Sequence, residues 1–152
     1  ASGMHAVIVE TDPATAEVRI LKYAVVHDCG RLINPMIVEG QIHGGLTEAF
    51  AVAFGQQIPF DEHGNHLGNS LMDYFLPTAM ETPHWETDHT VTPCPHHPIG
   101  AKGVGEIGLV PTAGAVAGAL EAFDGVRRMT LPMKDSPASR AMSVGRIKAT
   151  VR

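Results

Sequence analysis

The chain has little of what several common functions need. With 11 Lys and Arg against 16 Asp and Glu in 152 residues, the net charge is −5. No basic stripe is available for a nucleic-acid backbone. No apolar run approaches the roughly 18 residues that a membrane-crossing helix requires. Cysteine occurs twice, at Cys29 and Cys94, which suits a reducing compartment better than a disulfide framework. The opening Ala1-Ser2-Gly3-Met4-His5 runs straight into a strand pattern without the segments of a secretory leader, so a cytoplasmic setting is expected. Gly-x-x-x-x-Gly-Lys-Ser/Thr is missing, the Gly-x-Gly-x-x-Gly spacing of Gly103 to Gly108 does not follow a strand, and Cys-x-x-Cys and His-Glu-x-x-His are absent. A nucleotide loop therefore lacks its strand setting, and a protein-ligated structural metal lacks its ligand spacing.

What is present is a globular composition, 44% hydrophobic and 18% charged, enough for one domain with a core. His5 to Glu10 and Val18 to Val26 are β-rich and flank turn chemistry at Asp12 to Ala16, a hairpin pattern. Asn34-Pro35 is a helix start, with asparagine to cap and proline at the first helical position. Val38, Ile42, Leu46, Ala49, Phe50 and Ala53 then recur at helical intervals, predicting a helix from Pro35 to Gly55. It carries Gly40, Gly44 and Gly45, each costing about 1 kcal/mol against alanine. Something is expected to lie very close to this helix.

Beyond it, Ile58 to Phe60 and Leu71 to Leu76 flank the turn cluster Asp61 to Asn65 and predict a second hairpin. Prolines 77, 83, 93, 95 and 98 punctuate an extended passage with a strand expected at Glu86 to Val91. A helix is predicted over Leu109 to Phe123, a short strand at Met129 to Pro132, and a weak helix from Ser136 to Ile147. The fold class expected is α+β, a layered domain with a mixed or antiparallel sheet and two main helices.

The most distinctive stretch is Gly100-Ala101-Lys102-Gly103-Val104-Gly105-Glu106-Ile107-Gly108, with four glycines in nine residues and one acid. Glu106 would repel a phosphate cradled by the loop's N–H groups. Two readings fit the spacing: a glycine turn with a solvated acid, or a loop that lets a ligand approach the backbone and aims a carboxylate at it. Gln41, followed by Gly44 and Gly45, likewise fits either an ordinary contact between helices or a donor–acceptor pair for a polar ligand. Cys94-x-His96-His97 lacks metal-ligand spacing, and prolines on both sides of Cys94 leave no helix N-terminus to activate its thiol.

Gly40-Gln41-Ile42-His43-Gly44-Gly45 and His96-His97-Pro98-Ile99-Gly100-Ala101-Lys102-Gly103-Val104-Gly105-Glu106 resemble the C-terminal part of the large subunit of the molybdenum hydroxylases, the xanthine oxidase family. The likeness is greatest to large subunits of the aerobic carbon monoxide dehydrogenase type. It takes in Asp28-Cys29-Gly30, Asn34-Pro35, Met72-Asp73-Tyr74 and Trp85-Glu86-Thr87-Asp88, and weakens at Ile107-Gly108-Leu109-Val110. The resemblance implies that residues 1–152 form the C-terminal part of a molybdopterin-binding domain in an oxidoreductase. In it Glu106 would be the general base beside molybdenum, and Gln41 would hydrogen-bond the molybdopterin cofactor, expected in its cytosine dinucleotide form. Lys102, Gly103, Val104 and Gly105 would supply the backbone along that cofactor. It further implies 2Fe-2S clusters and FAD on an iron-sulfur small subunit and a flavin medium subunit, and the remainder of the large subunit as a partner. The substrate would be carbon monoxide, an aldehyde or a nitrogen heterocycle. A structural or binding module that keeps the fold without the catalysis is the other class the residues allow.

Overall fold

A computed structural model describes residues 1–12 and 18–133. Its elements run β1 (Ser2–Thr11), β2 (Val18–Asp28), α1 (Pro35–Phe54), β3 (Trp85–His89) and α2 (Thr112–Asp124). The sheet order is β1-β2-β3, with β1 antiparallel and β3 parallel to β2. This is the expected α+β layering with a mixed sheet.

In β1 the inward side chains are His5, Val7 and Val9, while Met4, Ala6 and Ile8 point outward, as the period of two requires. In β2 the alternation changes phase between Ile20 and Tyr23, both buried. The register explains it: Ile8 pairs with Lys22 but Val9 with Ile20, leaving Leu21 as the extra residue of a bulge. Asn34 caps α1 by accepting from the Ile37 amide at 3.2 Å, and the helix ends where the Gly55 amide reaches the Ala51 carbonyl at 2.9 Å. α2 stops at Gly125, whose left-handed φ of 70° any side chain would strain. There Arg128 closes on Asp124 through two bonds of 3.2 and 2.6 Å.

Both helices cover one face of the sheet. Phe50 of α1 meets Trp85 of β3, which meets Tyr23 of β2 edge-on, with centroids 6.3 and 5.2 Å apart. Ile42, Leu46, Val116 and Leu120, each fully buried, complete the core. The opposite face leaves Met4, Ile8, Leu21 and Val26 exposed beside the Lys22–Glu86 ion pair of 2.9 Å.

Three expectations about secondary structure change. Ile58 to Phe60 and Leu71 to Leu76 form no hairpin; residues 58–76 contain one isolated bridge, Phe60 to His66. Asp61 accepts from His63 N, Asn65 N and Asn65 Nδ2 at 2.8–2.9 Å, and Ser70 ties Asp73, so local side-chain bonds replace a ladder. Met129 to Pro132 is not a strand: Met133 instead docks its amide on the Ala53 carbonyl at 2.9 Å and is buried. α2 begins at Thr112, since residues 105–111 form turns. Most of the first hairpin's turn and the Ser136 to Ile147 stretch lie outside the described residues.

Candidate functional site

The glycine-rich stretch has two differently held halves. Its first half is stitched to the end of β2. Ala101 bridges Gly30, the Lys102 amide donates to the Cys29 carbonyl at 2.7 Å, and the Arg31 amide donates to the Gly100 carbonyl at 3.1 Å. Gly30 and Gly100 have φ of 67° and 74°. A Cβ on Gly30 would stand 2.2 Å from the Gly100 carbonyl oxygen, so only glycine allows this crossing.

Asp28 locks the junction. Its carboxylate accepts from Gly30 N at 2.9 Å, Thr90 Oγ1 at 3.2 Å and Lys102 Nζ at 3.1 Å. The Thr92 hydroxyl, the Gly30 amide and the Lys102 ammonium hold this buried carboxyl well below the usual carboxylate range. The ammonium of Lys102 is therefore committed to Asp28, with its side chain half-buried.

The second half, Gly103 to Glu106, is open. With Ser2, Gly3, Val110 and Pro111 it lines a cavity of about 410 Å³. A Cβ on Gly103 or Gly105 would meet nothing within 4 Å. Glu106 is exposed at this rim, and among the described residues its carboxylate has no hydrogen-bond or ion-pair partner. An unengaged acid beside backbone that can be approached closely is the donor set that a large polar ligand would need.

Gln41 sits on the exposed side of α1, one turn after Ile37 and one turn before Gly45. Ile37 shares a pocket of about 250 Å³ with Lys102 and Val104. A Cβ on Gly45 would lie 3.4 Å from Gly108 Cα. Gln41 thus belongs to the helix stripe that runs beside the loop. The glycines of α1 divide in the same way as those of the loop: Gly45 explains the close approach expected from sequence, while Gly40 and Gly44 have no neighbour within 4 Å.

The Cys94 to His97 segment is a backbone turn, with the Gly100 amide on the His97 carbonyl at 2.9 Å and both histidines exposed. Among the described residues no three His, Cys, Asp or Glu side chains are placed to hold a metal. Sequence reasoning singled out none of His5, Tyr23 and Thr112, which lie behind the loop. The only signal was a histidine at an inward position of β1.

A family model described as "Molybdopterin cofactor-binding domain" matches residues 1–83. The chain belongs to the molybdopterin cofactor-binding domain family. It is 59% identical over 133 residues to the carbon monoxide dehydrogenase large chain of Hydrogenophaga pseudoflava, covering 86% of this chain and 17% of that one. Its fold superposes on the Cu,Mo-CO dehydrogenase structure with a TM-score of 0.80 and 48% identity, over 93% of this chain and 18% of that one. On quinoline 2-oxidoreductase from Pseudomonas putida 86 the TM-score is 0.81 with 36% identity, over 95% and 19%. The chain therefore spans less than a fifth of the length of these relatives. The stretch from Gly100 to Glu106 lies beyond the residues that the family model matches.

Proposed function

We propose that this molybdopterin-binding chain is the C-terminal part of a molybdopterin-binding domain, spanning residues 1–152, in a carbon monoxide dehydrogenase-like large subunit. In this reading Gln41 hydrogen-bonds the cofactor's polar edge, and the backbone of Lys102, Gly103, Val104 and Gly105 runs along it. Glu106 is the general base. The observation that carries the reading is the cavity at Gly103 to Glu106, where two glycines leave the backbone open and the acid has no partner among the described residues. When bound, the molybdenum cofactor supplies two-electron redox chemistry. The chain's own part is to present close backbone, orient the cofactor through Gln41, and hold a carboxylate that removes a proton as substrate oxidation proceeds.

The complete assembly includes the rest of the large subunit, a small subunit with 2Fe-2S clusters, a medium subunit with FAD, and a cytosine dinucleotide form of the cofactor. It works in the cytoplasm; within this chain no helix among the described residues is long and apolar enough to cross a membrane. A Glu106→Gln enzyme, made in the whole complex, is expected to lose on the order of 10²- to 10⁴-fold in turnover while keeping its molybdenum and pterin. Near-normal turnover would reject the assignment. Carbon monoxide is the substrate favoured by the 59% identity. The equally good fit to quinoline 2-oxidoreductase supports an N-heterocycle as the second reading, with an aldehyde third. Assaying the complex on all three classes separates them.

A further inference from the structure

Behind the open loop, the two residues that follow Glu106 are held by side chains from two different elements. His5 of β1 places Nε2 3.0 Å from the Ile107 carbonyl oxygen. A carbonyl only accepts, so Nε2 carries the proton, and Nδ1 of the neutral ring is left to accept. Burial lowers the His5 pKa, which favours that neutral ring. The Tyr23 hydroxyl, fully buried on β2, lies 3.0 Å from Nδ1 and donates to it. Thr112, fully buried at the first turn of α2, donates to the Gly108 carbonyl at 2.7 Å.

Sterics act on the same two residues. A Cβ on Gly3 would stand 2.8 Å from Ile107 Cγ2, and one on Gly108 would stand 2.6 Å from the Ile42 carbonyl oxygen of α1. The turn after Glu106 is thus wedged between β1, α1 and α2, with two successive carbonyls tied down. Its amides at Leu109 and Val110 both return to the Glu106 carbonyl at 3.1 Å. The backbone of Glu106 is fixed, while its carboxylate has no partner among the described residues.

We propose that His5 is a positioning residue: fixed in one tautomer by the Ile107 carbonyl and oriented by Tyr23, it clamps that carbonyl and so sets where the Glu106 carboxylate stands over the cavity. This rests on the reading of Glu106 as the base. Holding an acid in place from behind, through the main chain, leaves its oxygens unengaged for the substrate side. A direct side-chain partner would occupy them. His5 therefore affects the rate without touching substrate or cofactor.

The test uses the assembled enzyme complex with His5→Phe, His5→Gln, Tyr23→Phe and Glu106→Gln. Hydrogen exchange at Leu109 and Val110 is read beside kinetics. Losing the clamp bond in His5→Phe is expected to raise exchange at those amides about 3- to 10-fold. Displacing the base should lower kcat by up to about 10²-fold with KM unchanged. His5→Gln, whose amide can donate in place of Nε2, is expected to restore both, and Tyr23→Phe to show a smaller change in the same direction. Exchange unchanged in both His5→Phe and Tyr23→Phe overturns the clamp. So does a failure of glutamine to restore a folded enzyme, or full turnover in His5→Phe when Glu106→Gln is inactive. A Glu106→Gln enzyme with normal turnover overturns the base assignment and the clamp's catalytic meaning with it. The exchange data still report whether the clamp exists.

Discussion

Gly30 and Gly103 differ in what surrounds them more than in anything local. Gly30 lies where the loop crosses the end of β2, at positive φ and with a carbonyl where its Cβ would be; Gly103 faces empty space. The same division separates Gly108 and Gly45, which let the loop and α1 touch, from Gly40, Gly44 and Gly105, which touch nothing. One group of glycines exists so that protein can meet protein. The other leaves room, and in the proposed function the room at Gly103 and Gly105 belongs to the cofactor.

Alanine substitution can break this division. Gly30→Ala combines a left-handed residue with a clash against rigid backbone, and is expected to cost about 3 kcal/mol or prevent folding. Urea unfolding measures it; a loss under 1 kcal/mol would mean the crossing is looser than drawn. Gly108→Ala forces the loop off α1 and should cost about 1–3 kcal/mol by the same measurement.

Acid sharpens the contrast between the tied and the open half. Folding lowers the Asp28 pKa, so its stabilisation is complete above the unfolded carboxylate value of about 3.9 and is lost as pH falls below it toward the depressed folded value. Asp28→Asn removes the contribution, leaving Lys102 without its partner. Its stability deficit should be greatest near neutrality and shrink on acidification, which acid titration followed by circular dichroism checks.

The smallest effects belong to the open glycines. Gly44→Ala has space for its methyl group and should stabilise α1 by about 0.5–1 kcal/mol. Gly103→Ala and Gly105→Ala should leave stability within about 0.5 kcal/mol. In the assembled complex they are nonetheless expected to lower the pterin and molybdenum content found on purification. Unchanged cofactor loading would show that the room at these positions is not used.

Much of this was legible in the residue order because it depends on neighbours along the chain. Asn34-Pro35 marked the start of α1, the β-rich composition of His5 to Glu10 and Val18 to Val26 marked the first two strands, and Val38, Ile42 and Leu46 marked the buried helix stripe. The Leu71 to Leu76 run misled because an apolar stretch reads as a strand only when a partner edge is at hand, and here Ser70 and Asp73 bond locally instead. Gln41 and Glu106 could be picked out as candidates by type and setting, whereas His5, Tyr23 and Thr112 gave almost no signal. Their meeting joins residues 18 and 107 positions apart.

By itself, the sequence determined where the first hairpin and the two helices form, the α+β class and the stretch where chemistry is to be sought, since periodicity, caps and glycine content are local properties. Which glycines are filled by protein and which stay open was decided only by the tertiary structure. The same holds for the pairing of Lys102 with the buried Asp28 and for the carbonyls clamped behind Glu106. The physical reason is that van der Waals contact and hydrogen bonding act over a few ångströms in space, and a residue order carries no distance between β1, α1 and the loop until the chain has closed on itself.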